Sequence, residues 1–509
     1  MVSMNLRRWI IGLIGTMTLL MNGCMVGPNY HPPKAQAPGA WVGIPTDRTG
    51  QESVATPDPV TIVEWWKSFN DPVLDSLIDE AVKSNYDLQR AEARILQARA
   101  ARGVTASGLY PSVNASASAQ RSYAGAGGSS APSSQSVGAK ARNLFQVGLD
   151  AAWEMDFFGG VRRSVEAANA DLQAAFEDRR DVFVTLTSEV AVNYVQLRGL
   201  QQQLIVANKN LAAQQHSAEV THKRFEVGFV SALDMANADA QVAATSAQVP
   251  LLEASVRQTI YNISVLLGRE PAGLLQELSP EQAVPAMPSV VPVGLPSDLL
   301  RRRPDIRRAE AQLHGATARI GVATADLFPK FSLTGSGGVA GVTLGSLGHW
   351  SNRFWSVGPS VSLPVFSAGR IRSNIRLQNA LEQDALLAYQ QTVLAAFQDV
   401  ENGLIAYQKE QQRRAALVRA VDANRKAVDL ANRLYTAGET DFLNVLTAEG
   451  NLYSTESALA QSNETVGADL IAVYKALGGG WENSDINPVP DPPPTVQRAS
   501  QPSAAKPAP

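Results

Sequence analysis

The sequence predicts an α+β membrane protein with an internal twofold repeat, in which long α-helical hairpins are interrupted by two β-hairpins. Three observations lead there. The first is a proline-free heptad seam in Gly160–Phe225, running Phe176, Phe183, Val190, Leu197, Leu204, Leu211, Ala218, Phe225, with Leu186 and Leu200 three residues after seam positions. At about 1.5 Å per residue, roughly 65 helical residues reach about 100 Å, whereas an average helix has about 11–12. The second is recurrence. Some 210 residues later the seam reads Leu386, Val393, Val400, Tyr407, Arg414, Val421, Val428, Tyr435, broken only by Arg414. The third is a change of period from helical to two in the segment before each long helix.

The turns repeat with the helices. Arg224-Phe225-Glu226-Val227-Gly228 matches Leu434-Tyr435-Thr436-Ala437-Gly438 after one residue of slack, Leu233 matches Leu443, and Leu267-Gly268 matches Leu477-Gly478. Glycine suits a helix end because a positive φ costs it little. A return helix is expected from Ser231 to Leu267.

Composition narrows the class. With 509 residues and a net charge of −3, the chain has no electrostatic support for a nucleic-acid partner. A single cysteine excludes an internal disulfide. Plentiful alanine, glutamine and leucine with few aromatics suit long, closely packed helices.

From the N-terminus, Arg7-Arg8 precede an apolar run, Trp9 to Met21, that ends in Asn22-Gly23-Cys24. A basic region, a short apolar region and a small residue before the cut describe an export signal, too short to span a membrane comfortably. A cysteine directly after it resembles a bacterial lipoprotein box, with Cys24 as the lipidated residue, although Met21 replaces the usual leucine. Met25 stands where aspartate would retain a lipoprotein in the inner membrane, which favours the outer membrane.

The next residues are Val26-Gly27-Pro28-Asn29-Tyr30-His31-Pro32-Pro33. The pattern Cys-x-Val-Gly-Pro-x-Tyr-x-x-Pro resembles the start of outer-membrane efflux lipoproteins, the OprM/NodT branch of the TolC superfamily. Further matches are dispersed along the chain. Trp66, Phe69, Asp71-Pro72 and Leu74 resemble that family's opening, and are expected to pack as core. Arg301-Arg302-Arg303-Pro304-Asp305-Ile306 with Ala309-Glu310-Ala311 resembles a structural motif, and the arginines flank a helix start. Pro364-Val365-Phe366-Ser367-Ala368-Gly369 and the ending Tyr474-Lys475-Ala476-Leu477-Gly478-Gly479-Gly480-Trp481 are similar to family markers.

Each half opens with one helix, from Val73 to about Gly108 and from about Asp298 to Leu327. Tyr86–Ala93 aligns with Pro304–Ala311. Strands follow. Val113, Ala115, Ala117 and Ala119 alternate with polar residues, as do Phe145, Val147, Leu149, Ala151 and Trp153. Phe331, Leu333 and Val339, then Trp355, Val357, Val361, Leu363 and Val365, do the same. Tyr123–Arg142 and Ala340–Asn352 read as polar connections. Alternating segments of about ten residues are the signature of a transmembrane β-barrel, and four strands cannot close one alone. Several chains must complete it. The family resemblance implies a homotrimer, hence a 12-stranded β-barrel continued by a long α-helical barrel.

These readings divide the chain into a signal peptide (1–23), a lipidated extended segment (24–72), two repeats and a proline-rich disordered tail (483–509). The first repeat (73–277) holds β-hairpin 112–157 and helical hairpin 160–267. The second (278–482) holds β-hairpin 330–366 and helical hairpin 369–477.

No catalytic constellation stands out. His216 and His222 do not share a helix face well, and Gly335-Ser336-Gly337-Gly338 lacks the lysine of a phosphate loop. The chain is expected to be no enzyme and to need no cofactor beyond the lipid on Cys24. The resemblance places function at the helical tips. It implies an apolar constriction at Leu443 and a gate at positions where this chain has Asn444 and Thr447 instead of acids. Asp441 and Glu439 stand nearby as substitute carboxylates, or as helix caps together with Thr440. Val227-Gly228-Phe229 and Ala437-Gly438-Glu439 match turns that meet a periplasmic adaptor. The expected function is the passive outer-membrane channel of a tripartite, RND-type small-molecule efflux system. Its partners are the adaptor, an inner-membrane transporter and outer-membrane lipid. Alternatives are the outer component of a type I protein-secretion system, or a periplasmic adaptor or scaffold.

Overall fold

The computed structural model describes residues 25–34, 37–44, 53–58, 63–123 and 141–482. The expected signal segment, Cys24, most of the first strand connection and the proline-rich tail lie outside the described residues.

In chain order the elements are β1 (Val54–Thr56), a 3-10 turn (Trp65–Phe69), α1 (Pro72–Ser84), α2 (Tyr86–Ser107), β2 (Ser112–Tyr123) and β3 (Ala141–Met155). Next come α3 (Gly160–Glu226), α4 (Ala232–Leu266), the single turn α5 (Leu275–Leu278), β4 (Val290–Pro292), α6 (Pro296–Arg302) and α7 (Pro304–Ala325). The chain continues with β5 (Lys330–Gly341), β6 (Arg353–Ser362), α8 (Arg370–Ala437) and α9 (Phe442–Ala476).

One expectation is corrected in both halves. The single helix expected before each strand pair is two helices. In the first half the break is Asn85, whose backbone is extended (ψ 129°). Its side-chain oxygen accepts from the amides of Asp87 and Leu88 at 2.8 and 3.0 Å, so it caps α2 rather than continuing α1. In the second half the break is Arg303 (ψ 122°), because Pro304 disfavours a helical conformation in the residue before it. Tyr86 and Pro304, aligned from sequence, both begin their helices.

The seams are buried over part of their length. Phe183, Val190, Leu197 and Ala218 of α3 are buried, as are Val393, Val400, Tyr407, Val421 and Tyr435 of α8. Arg414, the interruption in the second seam, donates to Asn463 across the hairpin at 2.6 Å. The helices have 67 and 68 residues, and each is followed by a return helix of 35.

The aromatic opening packs into the core. Trp65, Trp66 and Phe69 are buried, Trp65 stacks on Tyr474 at 5.3 Å, and Asp71 caps α1 while accepting from Tyr194 at 2.7 Å. The glycine-rich ending completes this core. The Trp481 indole donates to the Arg302 carbonyl at 3.1 Å, and Arg180 lies 4.3 Å over its ring. The sequence reading did not anticipate the short parallel pairing of β1 with β4, Val54 opposite Val290.

The strands form an antiparallel sheet in the order β2-β3-β5-β6. Register puts Val113, Ala115 and Ala117 opposite Ala151, Leu149 and Val147, then Leu149 opposite Gly337, and Gly337 opposite Trp355. One face is therefore apolar. The other carries paired polar groups: Ser116 with Asp150, Ser332 with Ser360, and Ser336 with Ser356, at 3.2, 2.6 and 2.8 Å. Ser112 pairs with Ala152, Met155 with Phe331 and Lys330 with Ser362, so α2, α3, α7 and α8 all join the sheet at the same end, while two short 3-10 turns, Leu344–Gly348 and Trp350–Asn352, connect β5 to β6 at the other.

Candidate functional site at the helical tips

Each long helix closes in the same way. Gly228 and Gly438 both have φ +79°, which a residue with a Cβ adopts only with strain. Phe229 N–H bonds back to the Arg224 carbonyl at 2.8 Å, and Glu439 N–H to the Leu434 carbonyl at 2.9 Å. Both are the six-to-one closure of a helix C-terminus. A Cβ on either glycine would meet nothing within 4 Å, so within the chain conformation, not crowding, requires glycine there.

The turns project apolar and charged side chains. Val227 is 65% exposed, Phe229 80%, Leu233 68% and Leu443 60%. Ala437, Gly438, Glu439, Asp441, Asn444 and Thr447 are also exposed. The two turns thus bring all the candidate adaptor and gate residues to one end of the molecule.

The return helices begin differently. Ser231 and Asp234 form a reciprocal capping box on α4. On α9 the expected cap from Thr440 or Asp441 is not made: Asp441 stands at the N-cap, yet its carboxylate accepts no capping bond. Asn444 replaces the aspartate of the first box and turns back to donate to Thr440 Oγ1 at 2.7 Å. Thr447 Oγ1 donates to the Leu443 carbonyl at 2.8 Å.

Behind the turns a small core of Ala218, Ala238, Tyr435, Phe442 and Val445 joins the two hairpins. Tyr435 and Phe442 rings lie 5.5 Å apart. Arg224 crosses from the first hairpin to the second. Its guanidinium donates to the carbonyls of Tyr435 and Thr436 at 2.7 and 3.0 Å, and lies 4.5 Å over the Tyr435 ring. The Tyr435 carbonyl also accepts from the Gly438 amide at 3.0 Å, and a cation at the last turn of α8 adds a second bond there and suits the helix dipole.

Further from the tips, α3 meets α9 through polar groups. Ser217 donates to Glu449 at 2.7 Å, and Asn210 donates to Glu456 at 3.2 Å. Gln214 between them is 3% exposed, and neither polar atom of its amide has a partner. Burial pushes the Glu449 carboxyl up. Higher still, burial pushes Glu464 up to about 7, and burial together with the Glu410 charge pushes Asp469 up to about 6. Gly199 lies where the helices approach closely: a Cβ there would lie 2.6 Å from the Glu464 Cβ. Sequence reasoning missed Arg224, Ser217 and Glu449. The partners they reach are over 200 residues away, and only the repeated turn around Arg224 hinted at one of them.

His222 pairs with Asp239 at 2.9 Å, and among the described residues no cluster has the donors for a metal ion. No described helix is long and apolar enough to cross a membrane.

Comparison with known proteins is consistent along the chain. A family described as outer membrane efflux protein matches residues 77–269 and 295–479. Nodulation protein T of Rhizobium leguminosarum bv. trifolii is 32% identical over 466 residues, 91% of this chain and 96% of that protein. The pyoverdine export outer membrane protein OpmQ of Pseudomonas putida is 35% identical over 436 residues, 85% of this chain and 91% of that protein. The toluene efflux pump outer membrane protein TtgF of Pseudomonas putida is 30% identical over 476 residues, covering 93% and 97%. Among solved structures, the outer-membrane channel OprN superposes with a TM-score of 0.82 at 38% identity, covering 90% of this chain and all of that one. The open state of the Neisseria gonorrhoeae MtrE outer membrane channel gives 0.74 at 30% identity, covering 90% and 98%.

Proposed function

The chain belongs to the outer membrane efflux protein family, and from that membership we propose that three copies form the passive exit duct of a tripartite efflux system. The observation that carries this is the four-stranded sheet. It has one apolar face, and its outer strands β2 and β6 have no further partner among the described residues. In lipid, unpaired strand edges leave backbone groups without hydrogen bonds, so the sheet needs copies of itself to close. Three copies make twelve strands, with the apolar face toward lipid and the Asp150–Ser116 face toward water.

The two halves, each a helix pair, a β-hairpin and a helical hairpin, read as an internal twofold repeat. Six hairpins of about 100 Å would then continue the barrel as a helical tube through the periplasm. A lipid on Cys24 would hold the chain in the outer membrane. At the far end, Leu443 would form an apolar constriction, with Asp441, Asn444 and Thr447 beside it and Asp441 supplying charge. Val227, Gly228, Phe229, Ala437, Gly438 and Glu439 would meet the periplasmic adaptor, and an RND-type inner-membrane transporter would supply the energy. The relatives named for pyoverdine export and toluene efflux support small organic molecules as cargo.

Closure of the barrel is tested by placing one cysteine on each edge strand, at Ala117 of β2 and Val357 of β6, in a background without Cys24. Oxidation of purified protein should give a covalent trimer. A ladder that stops at dimer, or no cross-link with either neighbouring register, would count against three-chain closure.

A further inference from the structure

We infer that residues 25–30 form a strap seated in a peptide-binding socket between α3 and α7, and that this socket fixes where the N-terminal segment meets the strand–helix junction. The segment was conspicuous in the sequence as Val26-Gly27-Pro28-Asn29-Tyr30, and the duct reading gives these residues no role.

Each polar or close contact of the strap has a matching residue. Val26 N–H donates to the Phe158 carbonyl at 3.1 Å, at the exit of β3. Arg163 of α3 is only 2% exposed. Its Nε donates to the Val26 carbonyl at 3.2 Å, and its Nη2 to Asn29 Oδ1 at 2.7 Å and the Gly27 carbonyl at 3.4 Å. Its Nη1 donates to Glu166 at 2.8 Å. On the other wall, the Tyr30 ring stacks on His314 of α7 at 4.4 Å, and its hydroxyl donates to Glu310 at 3.3 Å. His314 in turn bonds to Glu166 at 3.1 Å, which closes the ring of contacts.

Backbone shape adds selectivity. Gly27 has φ +88°, and a Cβ there would lie 2.5 Å from the Gly321 Cα. A Cβ on Gly159 would lie 2.9 Å from the Met25 Cα. The socket therefore admits a bare backbone at the second and accepts an amide at the fourth position of Val-Gly-Pro-Asn-Tyr.

The energetics are mutual. A buried guanidinium is costly unless its donors are satisfied. Three of its four described acceptors come from the strap, so the strap and Arg163 bury each other. The socket itself does not depend on the lipid.

The test compares two insertions of Gly-Ser-Gly-Ser in the full-length protein. One lies between Cys24 and Met25, the other between Gly27 and Pro28. Amide hydrogen exchange is followed over residues 25–30, with the Val190–Leu197 stretch of α3 as the folding reference. In the wild type and the first insertion, Val26 should exchange at least about tenfold more slowly than in a free chain. The second insertion and Gly27→Val should lose that protection while the reference stays slow. If either disturbs the reference, Asn29→Ala decides, with a severalfold rise in exchange expected at Val26. Free-chain exchange in the wild type, or undiminished protection in Gly27→Val and Asn29→Ala, would overturn the socket.

Discussion

Arg224 and Tyr435 form the link between the two helical hairpins nearest their tips: the guanidinium lies 4.5 Å over the ring and donates to the carbonyl of the same residue at 2.7 Å. One side chain thus binds the last turn of the second long helix while belonging to the first. A motion that parts the hairpins at this end must break this link.

Replacing Arg224 by glutamine removes the charge over the ring and at least one carbonyl bond. The expected loss is about 1–3 kcal/mol, felt locally. Hydrogen exchange of residues 434–446 should accelerate severalfold while the Trp65–Tyr474 core is unchanged. Equal exchange at the tip in both proteins would show that the link does not hold the hairpins together.

The apolar constriction is tested separately from charge. Leu443→Ala should raise single-channel conductance in a planar bilayer, because 60% of Leu443 is exposed within the chain and available to line an axis. Unchanged conductance would remove Leu443 from the gate. Asp441→Asn should leave conductance similar and move the reversal potential in a salt gradient toward zero, because the carboxylate is not engaged as a helix cap.

Stability should fall as pH rises through the neutral range. Glu464 is pushed up to about 7 and Asp469 to about 6, so the folded state holds protons that an unfolded chain releases near pH 4–5. Their contribution is complete below the unfolded values and is lost as pH rises through the folded ones. The unfolding midpoint should drop by about 1–2 °C from this source between pH 5 and 8, and Glu464→Gln should flatten the slope. A variant with the wild-type slope would show that Glu464 titrates normally.

Two glycines should respond differently to alanine. At Gly228 the space is open and only the positive φ opposes a side chain, at about 1 kcal/mol. At Gly199 the new methyl collides with the Glu464 side chain. Gly199→Ala should therefore lower the thermal midpoint more than Gly228→Ala, and the reverse order would contradict the close approach of α3 to α9.

The long helices were legible because a seam seven residues apart persists over many turns and ends at a glycine. Val190 and Leu197, or Val393 and Val400, declare their burial through spacing alone. The strands were legible through period two, as Val147 and Leu149 against Gln146 and Asp150 show. What was not legible depends on distant partners. The β1–β4 pairing joins three-residue segments more than 200 positions apart, too short for any period. Arg163 looked like an ordinary basic residue in a helix, since nothing near it in the chain announces Asn29 as its acceptor. The break at Asn85 was readable in principle: asparagine before Tyr-Asp-Leu is a cap signal, outweighed by the apolar pattern on both sides. At the tips, the repeat foretold both turns but not Arg224's reach across to the other hairpin.

The most direct test of the exit-duct account is accumulation in living cells. The encoding gene is deleted and the intracellular level of a panel of dyes and antibiotics is measured, with wild type and Cys24→Ala returned separately. The account predicts raised accumulation that wild type reverses and the Cys24 variant reverses less fully. Unchanged accumulation across the panel, together with the loss of a secreted protein from the medium, would contradict small-molecule efflux and point to protein export.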